Sequence, residues 1–188
     1  MKSPRLASGV TLIELMVVMV LLTIGLMLAS PGFSVIGGSA RLETHSREIQ
    51  NALVFARSEA IRLNRNVLFC HSSDGQVCSE PPSAGWRGWL VRAGGAAIGS
   101  ETGPVLRAQQ LNDDLVVIHS GPALAGAQHV LRFNSQGLIR MFANNTPLSD
   151  TIRACIADTT MNPNVYEVQF NSGGRLQQVT SNSDGVCL

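Results

Sequence analysis

The chain has little charge and few aromatic side chains. Of its 188 residues, 14% are charged and 5% are aromatic, with a single tyrosine. Lys2 is the sole lysine, and the formal net charge is +1. Without a block of basic residues, the composition argues against a protein that binds nucleic acid by broad electrostatic attraction. It leaves room for a local patch of arginines.

The sequence also lacks the motifs of common enzyme classes. It contains no Gly-x-Ser-x-Gly elbow, no phosphate-binding loop and no His-Glu-x-x-His string. Isolated histidines are more often structural or solvated than catalytic, so we expect no enzyme, no cofactor and no metal site. The four histidines are scattered over a predicted helix and predicted strands, at His45, His71, His119 and His129.

Long apolar runs are absent except for one, between Val10 and Ala29. A helix from residue 10 to residue 30 would be about 31 Å long, enough to cross a bilayer core. Lys2 and Arg5 precede the run, so the positive-inside rule places the short leader in the cytoplasm and the remainder across the membrane. The sequence predicts a transmembrane helix over 10–30, with Pro31 kinking or stopping it.

Glu14 is the only charged residue within this run. An ionised side chain in hydrocarbon costs a few kcal/mol or more, about 2.5–3.5 by insertion scales, so a functional partner is expected. A secretory signal would end in a small-x-small site, whereas Leu28-Ala29-Ser30 is followed by Pro31. A plain uncleaved anchor is the other alternative, but it gives no reason for Glu14.

Residues 9–15 read Gly-Val-Thr-Leu-Ile-Glu-Leu, which resembles the class III leader of type IV pilins and type II secretion pseudopilins. The resemblance implies that a prepilin peptidase removes residues 1–9 by cutting after Gly9. It also implies that Val10 becomes N-methylated and that Glu14 pairs with the terminal amine of a neighbouring subunit. Members of these families usually carry Phe at the position of Val10, and a proline at the register of Pro31 is common.

Beyond the apolar run, residues 39–64 have the pattern of an amphipathic helix. The interruptions Pro31-Gly32 and Gly37-Gly38-Ser39 are predicted to separate it from the membrane helix, so 31–64 comprises a linker and this second helix. Its apolar residues recur at spacings of three, four and seven: Leu42, Ile49, Leu53, Ala56, Ala60 and Leu63. An alanine-rich stripe suits close packing under a sheet.

Residues 65–188 are predicted to form a domain of short strands. Apolar or alternating runs bounded by turn residues predict strands at 67–70, 89–91, 115–118, 130–133 and 165–170. Two similar strings, Phe-Asn-Ser-Gln-Gly-Leu at 133–138 and Phe-Asn-Ser-Gly-Gly-Arg at 170–175, both predict hairpin turns. An internal duplication is an alternative, but shared turn chemistry explains six residues more simply.

An even number of cysteines beyond the membrane segment predicts disulfides in an oxidising compartment. Three connectivities are open, and we favour Cys70–Cys78 and Cys155–Cys187. Asp74-Gly75 is a hairpin-turn signal that would bring the strands carrying the first pair face to face, and the second pair would tie the C-terminal end to a strand. Zinc is the alternative, but the spacing supplies no two tight Cys/His pairs.

Three strings resemble the GspH/FimT family of minor pilins and pseudopilins: Ala-Arg-Ser-Glu-Ala-Ile-Arg-Leu-Asn at 56–64, Val-Leu-Phe-Cys at 67–70 and Gly-Trp-Arg-Gly-Trp-Leu-Val at 85–91. The resemblance is close over about 9–92. It implies an α+β, pilin-like fold, with a long N-terminal helix packed on a small antiparallel β-domain. It also implies a non-catalytic, single-pass inner-membrane protein whose C-terminal domain lies in the periplasm. Other pilins, the prepilin peptidase and the inner-membrane assembly platform would be its partners.

Three functions are then in competition. The first is a minor pilin that initiates or caps a type IV pilus, which the position of Cys70 after the first strand favours. The second is the H-type pseudopilin of a type II secretion system. The third is a DNA-capturing pilin, since some FimT-like proteins are thought to bind DNA through Gly-Arg-x-Arg. Here Gly-Arg-Leu-Gln at 174–177 keeps only Arg175, which would need help from Arg132, Arg140 or Arg153.

Overall fold

The computed structural model describes residues 10–94, 99 and 103–187, with the side chains of 28–36 excepted. The chain forms two compact units, Met1–Gly37 and Gly38–Leu188. One long helix, α1 (Leu12–Arg62, 51 residues), contributes to both units. The predicted leader over 1–9, including Gly9 and its scissile bond, lies outside the described residues.

Within α1 the helical backbone continues through Pro31-Gly32 and Gly37-Gly38. The predicted interruptions therefore do not end the helix, because a proline removes only one backbone hydrogen bond and each glycine costs about 1 kcal/mol. Whether Pro31 kinks the helix stays a prediction. Among the helices of the described ranges, none is both long and apolar enough to cross a membrane.

The second half of α1 has the predicted amphipathic pattern. Its polar side carries two ion pairs, Arg47–Glu43 at 2.6 Å and Arg62–Glu59 at 2.6 Å. Both arginines are largely exposed, so each pair contributes little to stability. The residues buried against the β-domain share one face of the helix: Leu42, Ile49, Ala52, Leu53, Ala56 and Ala60.

The other described residues of the second unit form two antiparallel sheets and one short helix. The order is β3-β2-β1-β5-β6 in the five-stranded sheet and β4-β7-β8-β9 in the four-stranded sheet. In chain order the elements are β1 (Val67–His71), β2 (Gly88–Ala93), β3 (Val105–Gln110), β4 (Val117–Ser120), α2 (Pro122–Gly126), β5 (Val130–Phe133), β6 (Ile139–Met141), β7 (Asp150–Cys155), β8 (Val165–Phe170) and β9 (Leu176–Ser181). This α+β architecture is the predicted fold class.

Strand β1 is the centre of the five-stranded sheet, and all five of its residues are buried. Its side chains alternate between the two faces of the sheet, so burial throughout means that both faces are covered. On one face Leu68 and Cys70 pack with Leu90 and Val130, and Phe142 lies against this cluster. A continuous apolar strand is typical of such a doubly covered position.

Two details differ from the sequence predictions. The strand expected at 115–118 begins at Val117, because the side chain of Asp113 accepts a hydrogen bond from Leu115 N (3.0 Å) and makes a turn there. Asp74-Gly75 does not form a tight hairpin turn between two strands. Instead it lies early in the long β1–β2 connection, where Asp74 Oδ1 accepts hydrogen bonds from Gln76 N and Val77 N.

Candidate functional site

The described chain begins with an apolar segment that is exposed as far as Met27 and forms the first part of α1. Val10 is 67% exposed and Leu12 is 76% exposed, and the large apolar residues up to Met27 are likewise exposed. Within the described parts of the chain, this apolar surface has no cover of its own. An exposed surface of this size is a site for contact with lipid or with another protein.

Glu14 lies in the first turn of this helix. The Thr11 hydroxyl accepts a hydrogen bond from Glu14 N (3.3 Å), and Thr11 O accepts from Leu15 N (3.2 Å). Thr-x-x-Glu is the spacing of a capping box, and a carboxylate near a helix N-terminus interacts favourably with the helix dipole. Thr11 is thus a contributor that the sequence reasoning missed, and the helix dipole gives the Glu14 carboxylate a stabilising position within one chain. The pairing of Glu14 with a neighbouring subunit stays a prediction.

The structure pairs Cys70 with Cys78 and Cys155 with Cys187, with Cα–Cα distances of 5.7 and 5.8 Å. These are the pairs that the sequence favoured. The first link does not join two strands, because Cys78 lies in the β1–β2 connection. The second holds the C-terminal segment to the end of β7. Near that link, Ser183 N donates to Asn164 Oδ1 (2.8 Å) and Asn164 Nδ2 donates to Ser183 O (3.0 Å).

The two similar strings form matching hairpin turns in different sheets. In the β5–β6 turn, Asn134 Oδ1 accepts from Leu138 N (2.9 Å), and in the β8–β9 turn Asn171 Oδ1 accepts from Arg175 N (3.0 Å). Each turn ends with a glycine at positive φ, Gly137 at 74° and Gly174 at 80°. This is a three-residue hairpin loop with glycine in the left-handed position. Both turns were predicted, and the structure places them beside each other.

Arg57 of α1 lies between these turns. Arg57 Nη1 donates to Gly174 O (2.8 Å), and a Cβ built on Gly137 would lie 2.9 Å from Arg57 Nε. The Nε atom is buried and has no hydrogen-bond partner among the described residues. Ile139 N also donates to Ser172 O (3.0 Å), which links the turns directly. The sequence reasoning did not single out Arg57, since an arginine between Ala56 and Ser58 on a helix carries no distinctive signal.

Arg175 is exposed at the base of the second turn, and only one of its three suggested companions is nearby. Arg140 Nη1 donates to Ser172 O (3.3 Å) in the same turn. Arg153 makes an ion pair with Glu167 (2.9 Å) elsewhere on the four-stranded sheet. Arg132 is 3% exposed and donates to Asn66 Oδ1 (2.9 Å), and burial lowers its pKa. Arg140 and Arg57 therefore join Arg175, but both are engaged with backbone carbonyls.

The string at 85–91 that contains both tryptophans forms part of the core. Trp89 is fully buried and Trp86 nearly so, and both pack against Phe69 with ring centroids 5.9 and 5.8 Å apart. Trp86 Nε1 donates to Ser120 Oγ (3.1 Å), which is 2.8 Å from His129 Nδ1. Trp86 is thus a core anchor that is both packed and hydrogen-bonded, whereas Trp89 is held by packing, since its buried Nε1 has no hydrogen-bond partner among the described residues.

The histidines have structural partners. His71 is buried, with Nδ1 2.8 Å from Ser79 O and Nε2 accepting from Arg87 N (3.1 Å). Burial lowers the pKa of His71, and burial is also the main cause of the lowered pKa of His119 and His129. His45 lies 3.3 Å from both Glu48 and Asp113. Among the residues that the structure describes, no three His, Cys, Asp or Glu side chains could hold a metal ion together.

Comparison with protein families gives two matches that together account for most of the chain. The model of the family described as type II transport protein GspH matches residues 45–185. A second model, the prokaryotic N-terminal methylation motif, matches residues 4–30. The chain belongs to the type II transport protein GspH family. It is therefore a minor pilin or pseudopilin, a class of membrane-anchored, structural subunits that assemble with other pilins into a filament.

Solved structures with this fold include the type IV minor pilin FimU of Pseudomonas aeruginosa strain PAO1, in two crystal forms. The two FimU chains are each 20% identical to this chain, with TM-scores of 0.54 and 0.51. The matches cover 78% and 76% of this chain and 96% and 99% of the FimU chains. At this identity the likeness shows the fold. No curated protein sequence matches the chain.

Proposed function

We propose that this GspH-family chain is a minor pilin of a type IV pilus, located in the tip or initiation complex. The observation that carries the proposal is the combination of a FimU-like fold with an N-terminal methylation motif. The disulfide from Cys70, near the end of β1, to Cys78 in the connection that follows adds to the likeness with the pilus branch. FimU itself is described as a type IV minor pilin.

In this proposal the prepilin peptidase cuts after Gly9 and Val10 receives the methyl group. Residues 10–30 then anchor the chain in the inner membrane in a single pass, with the second unit in the periplasm. The exposed apolar surface up to Met27 supports this, because it offers a face for lipid before assembly and for neighbouring helices afterwards. The assembly platform at the inner membrane transfers the subunit from the lipid bilayer to the filament.

Glu14 then has a defined role. Its carboxylate is exposed on the described helix, one turn from the amine that cleavage would create on Val10. Between two subunits, the amine of one would neutralise the carboxylate of the next, which removes the cost of a charge in an apolar environment. Helix capping by Thr11 orients this first turn and is compatible with the pairing.

The H-type pseudopilin of a type II secretion system is the alternative, since the family model carries that description. A gene deletion separates the minor pilin from the secretion pseudopilin. In the deletion strain, surface pili are counted and the amount of exported protein is measured. Our proposal predicts that pili are reduced at least severalfold and that export is unchanged, with recovery by the wild-type gene. Lost export with normal piliation would identify the secretion subunit.

A DNA receptor is the third candidate and has weaker support. Arg57, Arg140 and Arg175 surround one turn, yet the first two donate to backbone carbonyls. Each phosphate contact adds only a fraction of the affinity, so one free arginine gives a dissociation constant of about 10⁻⁴ M or weaker at physiological salt. When duplex DNA is titrated onto the full chain, we expect a dissociation constant in this weak range. The Arg175→Ala variant should bind DNA with nearly the same dissociation constant. Micromolar binding that Arg175→Ala abolishes would favour the receptor.

A further inference from the structure

The outer strands of the two sheets differ in how their edges are protected. An exposed edge offers unpaired N–H and C=O groups to another strand, and proteins usually cover it, charge it or distort it. The edge of β6 is covered by its own chain, since Met141 N donates to Thr146 O (2.9 Å) and Leu148 N donates to Ile139 O (3.3 Å). The edge of β4 is covered because Trp86 N donates to Ile118 O (2.8 Å).

The edge of β3 is protected differently. Arg107 places a charge on this strand, and the pairing of β3 with β2 shifts register between Val91 and Arg92. Such an irregularity increases the local twist and disfavours pairing with a further strand. Three of the four outer strands in the described sheets thus carry a recognisable protective feature.

The fourth outer strand, β9, carries none of these features. Its sequence, Leu-Gln-Gln-Val-Thr-Ser, contains no charge and no proline. It pairs with β8 at all six positions without a shift in register. Within the described part of the chain, no hydrogen bond reaches its outer edge. The strand is about 20 Å long, which is long enough to accept a partner strand.

The turn before β9 shows which backbone groups face outward. Asn171 N donates to Arg175 O (3.1 Å), which makes these two residues a hydrogen-bonded pair. Bonded and non-bonded pairs alternate along an antiparallel ladder, so Gln177 and Val179 also bond to β8. The N–H and C=O groups of Leu176, Gln178 and Thr180 therefore point away from the sheet.

We propose that the outer edge of β9 pairs with an extended, uncharged segment of a neighbouring filament subunit, which adds a fifth strand to the sheet. This rests on the proposed function. The absence of charge on β9 fits an uncharged partner strand. A pair of six residues is too small for a stable complex in solution, which needs about 1,000 Å² of buried surface. The partner must therefore be held alongside, as a neighbouring subunit in a filament is.

Amide hydrogen exchange at single-residue resolution tests the pairing, with the full chain compared in detergent and in purified filaments. In detergent, the amides of Leu176, Gln178 and Thr180 should exchange quickly, while those of Gln177 and Val179 are slow. In filaments, the exchange rates of the Leu176, Gln178 and Thr180 amides should fall at least tenfold, because these amides now donate hydrogen bonds to a partner strand. Equal, fast exchange of these three amides in both samples would contradict the pairing.

A pair of variants at one position gives an independent test. Gln178→Pro removes only an outward N–H, so the ladder with β8 and the unfolding temperature should be preserved. Its recovery in sheared filaments should fall at least fivefold, whereas Gln178→Val keeps the N–H and should incorporate like the wild type. Normal incorporation of a folded Gln178→Pro would overturn the inference. If the wild-type chain is absent from filaments, that result contradicts the proposed function. It also contradicts the inference, because no neighbouring subunit would then hold a partner strand beside β9.

Discussion

At the residue scale, Arg57 is the contact that joins α1 to the hairpin turns of both sheets. Its guanidinium donates to Gly174 O and lies against Gly137, so the glycines provide both the left-handed backbone and the space that the side chain occupies. A side chain on either glycine would meet Arg57 directly. The similar sequences of the two turns are explained by this shared position, without a need for internal duplication.

The two glycines of the β8–β9 turn give a matched prediction. Gly174 has φ +80°, and a Cβ there would lie 2.5 Å from Gly137 O, whereas a Cβ on Gly173 would meet only Asn171 Oδ1 at 3.4 Å. Gly174→Ala should lower the free energy of unfolding by about 2–4 kcal/mol, from the left-handed backbone and the clash together. Gly173→Ala should change it by less than about 0.5 kcal/mol. Urea denaturation of the full chain in detergent measures both, and equal effects would contradict the assigned geometry.

The buried histidine predicts a loss of stability in mild acid. Burial lowers the pKa of His71 below that of the unfolded chain, about 6.5, so the unfolded chain binds more protons below that pH. The stabilisation is complete above pH 6.5 and is lost as the pH falls towards the lower folded pKa. The unfolding temperature should therefore decrease as the pH falls below about 6.5.

The matched variant for this prediction is His71→Asn, which keeps a donor for Ser79 O but does not titrate. It should be less stable at pH 7.5 and show a smaller decrease in unfolding temperature with acid. The decrease should not vanish, because burial also lowers the pKa of His119 and His129. An unchanged pH slope in His71→Asn would show that His71 is not the titrating group.

At the element scale, strands covered on both faces could be predicted from the sequence and polar outer strands could not. The apolar runs at 67–70 and 130–133 lie within β1 and β5, in the middle of the five-stranded sheet. In contrast, β3 and β9 are outer strands with mostly exposed or half-buried side chains, and their sequences contain no apolar run to indicate them. The pairing that makes them strands comes from neighbours distant in sequence, which a local pattern does not report.

The candidate site residues divide in a similar way. Glu14 and the cysteines could be selected from the sequence, because a charge in an apolar run and an even set of cysteines are local signals. The environment of Arg175 could not be predicted from the sequence, because Arg57 lies 117 residues before Gly174, the turn residue that it contacts. Burial of Arg132 and the ion pair of Arg153 likewise depend on tertiary contacts, and these remove two of the proposed companions.

The disulfide of Cys155 with Cys187 should hold the C-terminal segment in place. A link across 32 residues contributes about 3–4 kcal/mol through loop entropy, and the two hydrogen bonds between Ser183 and Asn164 depend on the segment lying there. Replacing both cysteines with alanine should expose the segment after β9 to limited proteolysis. The matched control replaces Cys70 and Cys78 and should leave the C-terminal end protected.

Non-reducing peptide mapping of the wild-type chain checks the premise of that comparison. It should recover Cys70 linked to Cys78 and Cys155 linked to Cys187, and a crossed pair such as Cys70 with Cys155 would contradict the topology. Equal protease sensitivity in the two double variants would show that the second link does not secure the C-terminal end.

At the scale of the whole molecule, the described chain has an exposed apolar segment at the start of α1 and one folded domain. The first unit exposes apolar side chains up to Met27, and the second buries the amphipathic half of α1 against its sheets. A chain built in this way needs an apolar environment for one part and an aqueous one for the other. In the proposed function, membrane anchoring before assembly and helix packing in the filament would provide both environments.

Glu14 provides a prediction at this scale, since its proposed role is between molecules. Glu14→Leu removes a charge from the apolar run, so membrane insertion should be unchanged or improved. Recovery in filaments should fall at least tenfold, because the amine of Val10 in the next subunit loses its partner. Glu14→Asp keeps the charge and is the matched control. Normal filament recovery of Glu14→Leu would restrict Glu14 to helix capping.

Mass spectrometry of the chain in sheared, purified type IV pili is the most direct test of the account. We expect the chain to be present in small amounts relative to the major subunit, and to begin at an N-methylated Val10. A strain lacking the prepilin peptidase should instead keep the chain in the inner membrane with Met1 to Gly9 attached. Pili that lack the chain, while the membrane fraction of cells with an active peptidase holds it with its leader intact, would contradict the assignment as a minor pilin.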